Sequence, residues 1–457
     1  MIRNYCFSLI NYLRRHKIRT AIGGILLLWY IFCLPSPLFK EGYATVVESR
    51  EGKLLGGKIA PDGQWRFPER DTVPYKLREA ILAFEDAHFY YHWGVNPIST
   101  AKALLTNLRH GHTVRGGSTL TQQVIRLARK NKARTYGEKL IEAIWATRLE
   151  FRYSKEKILA LYASHAPFGG NVIGADMAAW RYFGVSLEQL SWAEACTLAV
   201  LPNAPGLIFP GHNQNALKKK RDFLLEKLLK NHTIDKTTYE LSLEEPLVER
   251  PHELPNIAPH LVERIARTTP NKRQVTTIDY YLQERVQEVI AKYYRHYKRF
   301  EVHNLCALVV DVQSREVLAY VGNSPTDEQH HKDVNIIHRP RSTGSVLKPF
   351  LYTAMLDSGE LLPQELVGDI PTHIGGYSPE NFENTYEGAV PADEALYRSL
   401  NIPFVLLLRQ YGISRFYQQL QKLRLRSINR SPDHYGLSLI LGGAECSLWE
   451  LAQAYAN

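Results

Sequence analysis

Apolar and polar positions along the 457-residue chain change period from block to block, and the blocks predict its elements. Residues 21–34 form an uncharged apolar run, led in by Ile18 and extended by residues 35–39. Residues 43–64 alternate around glycines and predict a short hairpin. Residues 75–88 place Leu77, Ile81, Phe84 and His88 on one helical face. Thr119 and Gln122 have the spacing of a capping box, so a helix starts there. Residues 136–151 read as a helix, and Ser154 caps another. Leu224, Leu225, Leu228 and Leu229 mark an amphipathic helix whose charge run, residues 218–221, reads as a solvated face. Pro246, Pro251, Pro255 and Pro259 mark a linker, which leads into a helix through Arg295. Residues 305–311 and 316–321 predict a hairpin that opens a new domain near residue 300.

Charge changes this picture more than composition does. Apolar residues at 45% and charged residues at 22% fit folded domains and exclude a mainly disordered chain, and the length fits two or three domains. The formal charge of +10 is unevenly spread. Residues 1–20 carry Arg3, Arg14, Arg15, Lys17 and Arg19 and no acid. A basic flank before an apolar run predicts an uncleaved signal anchor with its N-terminus in the cytoplasm. Residues 87–137 carry Lys102, Arg109, Arg115, Arg126, Arg129, Lys130, Lys132 and Arg134, again without an acid. That run implies an anionic ligand. No zinc spacing or RNA-binding signature accompanies it, so nucleic acid is not the partner read here. Five scattered cysteines show no metal or disulfide spacing, and Cys196 and Cys306 are expected to be buried thiols.

The basic run surrounds RGGSTLTQQVIR at residues 115–126. Gly116 and Gly117 free the backbone, and the helix that follows offers its N–H groups to an anion. Arg126, Arg129 and Lys130 are spaced to form one basic face. This string resembles the second motif of the peptidoglycan glycosyltransferases (family 51), the polymerising module of class A penicillin-binding proteins. Glu85, Asp86, Phe89, His92 and Gly94 resemble the first motif. Lys139 and Glu142 match a third, with Glu138 where the family has Arg. The family's Leu-Tyr-Leu-Asn is here Leu161-Tyr162-Ala163-Ser164, and APFGG and WRYFG are similar to type 1C members. Further on, Ser345 and Lys348 form Ser-x-x-Lys on one helical turn, and Ser399 and Asn401 form Ser-x-Asn. These resemble two of the three motifs of the penicillin-binding transpeptidase fold. The third, Lys-Thr-Gly, does not follow before Asn457.

The resemblance implies a multidomain protein. A cytoplasmic basic tail (1–17) precedes a transmembrane signal anchor (18–39). A mainly α, lysozyme-like glycosyltransferase domain (43–210) follows, then an α/β linker (211–300). The start of an α+β, serine β-lactamase-like transpeptidase domain (301–457) ends the chain. It implies polymerisation of lipid II into glycan strands on the outer face of the cytoplasmic membrane, with release of undecaprenyl pyrophosphate. Glu85 would be the base and Glu142 would position Lys139 or a divalent ion, Mg2+ or Mn2+; no cofactor would be tightly bound. Asp86, Phe89, His92, Arg115, Gly117, Ser118, Thr119, Gln123, Arg126, Lys130 and Lys139 would bind substrate. Ser345 would attack D-Ala-D-Ala, with Lys348, Ser399 and Asn401 moving the proton and holding the peptide. With one wall of that pocket missing, Lys348 is expected to be partly exposed and protonated. β-Lactams and moenomycin-type inhibitors are expected to bind full-length family members. Two rivals belong to other classes, a muralytic hydrolase and a non-catalytic membrane scaffold.

Overall fold

The structure, a computed structural model, describes residues 17–110, 117–132, 135–203 and 205–456. Contacts divide the chain into two units. The first is Met1–Glu48, Lys53–Asn256 and Val262–Val275; the second is Ser49–Gly52, Ile257–Leu261 and Thr276–Asn457. The basic tail to residue 16, and Arg115, Gly116 and Arg134, lie outside the described residues.

The first unit begins with helix α1 (Lys17–Phe32), built from the apolar run. It stops well short of residue 39. Pro35 and Pro37 lack the N–H that would continue a helix, and Leu34, Leu38 and Phe39 turn into the core instead. Ile18, Ile25, Leu26, Leu28 and Phe32 face outward. Among the described residues no helix is long and apolar enough to cross a membrane. The end of α1 is tied to a later helix, α5 (Tyr136–Arg152): Tyr30 Oη lies 3.1 Å from Thr147 Oγ1, and Arg148 Nε donates to Ile31 O at 3.1 Å.

Strands β1 (Thr45–Glu48) and β2 (Leu54–Lys58) form the expected hairpin, Val46 opposite Gly57. A third strand, β6 (Arg273–Val275), adds parallel to β1 from a stretch that sequence reading assigned to the linker. Three residues carry no readable period. What fixes β6 is Arg273, which pairs with Glu48 and with Asp176, while Asp176 also takes Arg70 at 2.9 Å. A small sheet of β3 (Trp65–Arg66), β4 (Pro167–Gly169) and β5 (Val172–Ile173) has the order β3-β5-β4.

The rest of this unit is helical: α2 (Tyr75–Glu85), α3 (Pro97–His110), α4 (Leu120–Ala128), α5, α6 (Lys155–His165), α7 (Ala175–Phe183), α8 (Trp192–Val200), α9 (Gln214–Lys230) and α10 (Lys236–Glu244). Helix α8 begins at a Ser191–Glu194 capping box, is buried from Ala195 to Val200, and packs between α2 and α9. Leu217, Leu224, Leu225 and Leu228 of α9 join that core, so the unit does not close at residue 210. The charge run on α9 is only partly solvated. Lys218 and Lys219 are exposed, but Arg221 is 1% exposed and donates to Glu245 O at 2.6 Å. A guanidinium at such a site is tolerated because backbone carbonyls and Asp222 satisfy it.

The second unit carries the long helix α11 (Tyr280–Tyr297) and the hairpin β7 (Ala307–Val310) with β8 (Val317–Val321), paired Val309 to Ala319. Gln283, fully buried, ties α11 to β8: its Oε1 accepts from Tyr320 N at 2.7 Å and its Nε2 donates to Tyr320 O at 3.1 Å. Strand β9 (Arg341–Ser342) pairs with β12 (Glu445–Cys446), and β10 (Leu366–Asp369) with β11 (Gly388–Pro391). Helices α12 (Lys348–Asp357) and α13 (Asn401–Tyr411) bury Leu351, Met355, Phe404, Val405 and Leu408 in one core. Cys196 is buried as expected; Cys306 is only half-buried.

Candidate active sites

In the first unit the site forms where α2 ends and α4 begins. Helix α2 stops at Glu85 because Asp86 turns out of helical conformation, at φ −157°, and this leaves His88 exposed beyond the helix. The Asp86 side chain then caps another element. Its Oδ2 accepts from Leu120 N at 3.0 Å and from His92 Nε2 at 2.9 Å. His92 Nδ1 in turn accepts from Gly94 N at 3.2 Å, which places the ring proton on Nε2. Thr119 is the N-cap: its Oγ1 donates to Gly94 O at 2.6 Å and accepts from Gln122 N, and Gln122 answers through Thr119 N. The capping box is as expected, and the negative charge at this helix end is supplied by Asp86.

Several residues expected to bind substrate are therefore inside the protein. Asp86, His92 and Thr119 are buried, and their hydrogen bonds go to protein partners: Asp86 and His92 to each other, Asp86 also to Leu120, and Thr119 to Gly94 and Gln122. Phe89 is buried beneath Lys155, whose Nζ lies 4.4 Å from the ring centre. Gly94 has φ +85°, and a Cβ there would meet Ala146 O at 2.6 Å, so only glycine fits. Gly117 is required for closeness instead: a Cβ would stand 3.0 Å from that of Ala103.

Glu85 is held differently. Gln123 Nε2 donates to its Oε2 at 2.7 Å, while Oε1 is buried and carries no hydrogen bond. The neighbouring Tyr162 is fully buried, and its hydroxyl also lacks a hydrogen bond of ordinary geometry. Burial pushes the Glu85 carboxyl above its usual range, and burial beside Glu85 pushes the Tyr162 phenol well up. Tyr162 was not singled out from the sequence as a site residue. Its place in the Leu161–Ser164 string was the available signal.

The basic residues are mostly paired. Arg126 grips Glu142 through Nε–Oε1 at 3.0 Å and Nη2–Oε2 at 2.8 Å, and reaches Ser118 Oγ at 3.1 Å. Glu142 thus serves Arg126 and not Lys139, which is exposed. With both oxygens against a guanidinium, Glu142 does not fit a divalent cation, and no metal-binding cluster occurs among the described residues. Arg129 pairs with Glu138, Nη2–Oε2 at 3.0 Å, and lies 4.5 Å from the Trp145 ring centre. The expected single basic face is broken. The helix ends at Ala128, and Lys130 turns left-handed at φ 59° to meet Glu41 at 3.2 Å.

In the second unit Ser345 sits in the turn before α12, where Ser345 O accepts from Lys348 N at 3.1 Å. The Lys348 ammonium makes its hydrogen bonds to the Ser399–Asn401 loop. It donates to Ser399 O at 2.7 Å, Ser399 Oγ at 3.3 Å and Asn401 Oδ1 at 2.9 Å. The expected partial exposure is wrong: Lys348 is 1% exposed, and burial pulls it down to about 8. Leu347 and Phe404 supply enough of the enclosure. Ser399 itself is left-handed, φ 57°. Asn381, missed from sequence, holds this loop: its Oδ1 accepts from Asn401 N and Ile402 N, and its Nδ2 donates to buried Asp369 at 2.7 Å. No motif spacing links residues 369, 381 and 401; only the folded loop does.

Comparison with known proteins matches each of the two units to a family model. The transglycosylase family model matches residues 56–229 and the penicillin binding protein transpeptidase domain matches residues 305–454. The chain is 36% identical over 423 residues to penicillin-binding protein 1C of Escherichia coli K12, covering 92% of this chain and 54% of that one. It is 28% identical over 431 residues to penicillin-binding protein 1B of Vibrio cholerae, covering 89% and 55%. The chain thus spans about half the length of these curated relatives.

Proposed function

The chain belongs to the class A penicillin-binding proteins, and we propose that its first unit polymerises lipid II into glycan strands with release of undecaprenyl pyrophosphate. The observation that carries this reading is Glu85, a buried carboxylate anchored by Gln123 through one oxygen, with the other buried beside Tyr162 and without a hydrogen bond of ordinary geometry. A sugar hydroxyl is a poor nucleophile, so a base must remove its proton as it attacks the anomeric carbon. Desolvation strengthens Glu85 as that base. The departing pyrophosphate needs cations more than protons. Lys139 and Lys130 are exposed to meet it, and Arg126 fixes Ser118 at the start of α4. A divalent cation as a further counter-ion to the pyrophosphate belongs to this proposal, at a place other than Glu142.

Sugar hydrolysis of the lysozyme type needs two carboxylates at one site. Here Glu142 is engaged by Arg126 and Asp86 by His92 and Leu120, which weighs against the hydrolase. The outward apolar side chains of α1, and the basic residues before it, support anchoring in the cytoplasmic membrane with both units outside. In the second unit Ser345 is the nucleophile for D-Ala-D-Ala and β-lactams. Lys348 is its base, and Ser399 and Asn401 are the relay.

The test is Glu85→Gln, incubated with labelled lipid II and a divalent cation. Glycan ladders from the unaltered chain and none from the variant are expected. Ladders from Glu85→Gln at the unaltered rate would remove Glu85 from the reaction.

A further inference from the structure

Gln123 and Arg126 of α4, and Arg129, the residue that caps its C-terminal end, follow one another at three-residue spacing. Each meets an acid, Glu85, Glu142 and Glu138 in turn. Steps of three residues advance about 4.5 Å along a helix, so the Arg129 backbone lies roughly 9 Å along the axis from that of Gln123. That is the reach of a pyrophosphate attached to a sugar whose acceptor is being deprotonated at Glu85. Glu142 and Glu138 are one turn apart on α5 and face Arg126 and Arg129 as two rungs of a ladder.

The rungs are unequal. Glu142 is 7% exposed in its side chain, and its partner Arg126 is further tied to Ser118. Glu138 lies in the first turn of α5, beside the Thr135 cap, where its charge is already favourable without a partner. Arg129 is also held on the face of Trp145, which keeps the guanidinium in place when its acid leaves. Both rungs are largely enclosed, the second with side chains 14% and 13% exposed, but there the acid keeps its helix N-terminus and the guanidinium its aromatic face when the pair opens, so the second rung opens at lower cost than the first.

We infer that Glu138 is an internal counter-ion that occupies Arg129 and sets the affinity of the first unit for its pyrophosphate substrate. This rests on the glycosyltransferase reading. The incoming pyrophosphate exchanges with the Glu138 carboxylate for the same guanidinium, and no covalent bond changes. Glu138 is thus a specificity-determining residue that weakens substrate binding without touching the reacting atoms.

The experiment measures initial rates of glycan formation against lipid II concentration for the full chain, Glu138→Gln, Arg129→Ala and the double variant. Freeing Arg129 in Glu138→Gln lowers KM roughly three- to tenfold, about the net yield of one ordinary hydrogen bond, and leaves kcat nearly unchanged. The dependence of KM on salt steepens. In the Arg129→Ala background Glu138→Gln changes nothing. An unchanged or raised KM in Glu138→Gln, or a gain that persists without Arg129, overturns the inference. The same variants are titrated with farnesyl pyrophosphate in detergent micelles. If the unaltered chain makes no glycan, the glycosyltransferase reading fails, while tighter binding of this probe by Glu138→Gln still supports the counter-ion role and equal binding overturns it.

Discussion

Breaking the Arg126–Glu142 pair measures how firmly the second and third motifs are locked together. The pair is bidentate, at 3.0 and 2.8 Å, with side chains 17% and 7% exposed. Removing one partner of a buried pair costs about 3–5 kcal/mol, because the other charge is left desolvated. The two halves differ. Arg126→Met strands the more deeply buried Glu142, so about 3 kcal/mol is expected. Glu142→Leu strands a guanidinium that retains Ser118 and some solvent, so about 2 kcal/mol is expected. In the double variant two apolar side chains replace the pair, and the loss should fall below that of either single change. The assay is differential scanning calorimetry of the intact chain, following the transition of the first unit. For a unit of this size 1 kcal/mol moves Tm by about 2–4 °C, so Arg126→Met should lower it by about 6–12 °C. Additive losses in the double variant would show that the two charges act independently, and the ladder between α4 and α5 would then not be a unit.

Gly94→Ala should be at least as damaging, since its Cβ would collide with Ala146 O at a positive φ; a Tm shift of the first unit below about 2 °C would refute the fit argued for it. The Lys348 ammonium, lowered to about 8, is the pH-sensitive group of the second unit. Between about 8 and the ordinary lysine value near 10.4 the unfolded chain holds a proton that the folded chain does not, so this group's contribution to stability rises with pH across that window. Chemical denaturation at pH 7.5 and 9.5 should show the rise, and Lys348→Met should abolish it; an identical rise in the variant would assign it elsewhere.

The elements were legible wherever period or capping chemistry repeats over several residues. The hairpin at residues 43–64, the Thr119–Gln122 box, the Ser154 cap and the hairpin after residue 300 are local events, fixed by side chains within reach of their own backbone. Glu85 and Lys348 could also be picked out, through the resemblance of the strings around them to family motifs, which spacing alone would not have supplied. Roles were another matter. Asp86, His92 and Thr119 look like polar residues offered to a ligand, yet they are consumed in closing α4 onto α2. The eight cations of residues 87–137 look like an open basic field, but Arg126 and Arg129 meet acids that enter only with α5. Strand β6 is three residues long and exists because Arg273 finds Glu48 and Asp176. Sequence determines which groups can make strong polar contacts. Which of them are already satisfied depends on pairings between distant segments, and burial then decides which remaining charge, Glu85 or Lys348, is perturbed enough to do chemistry.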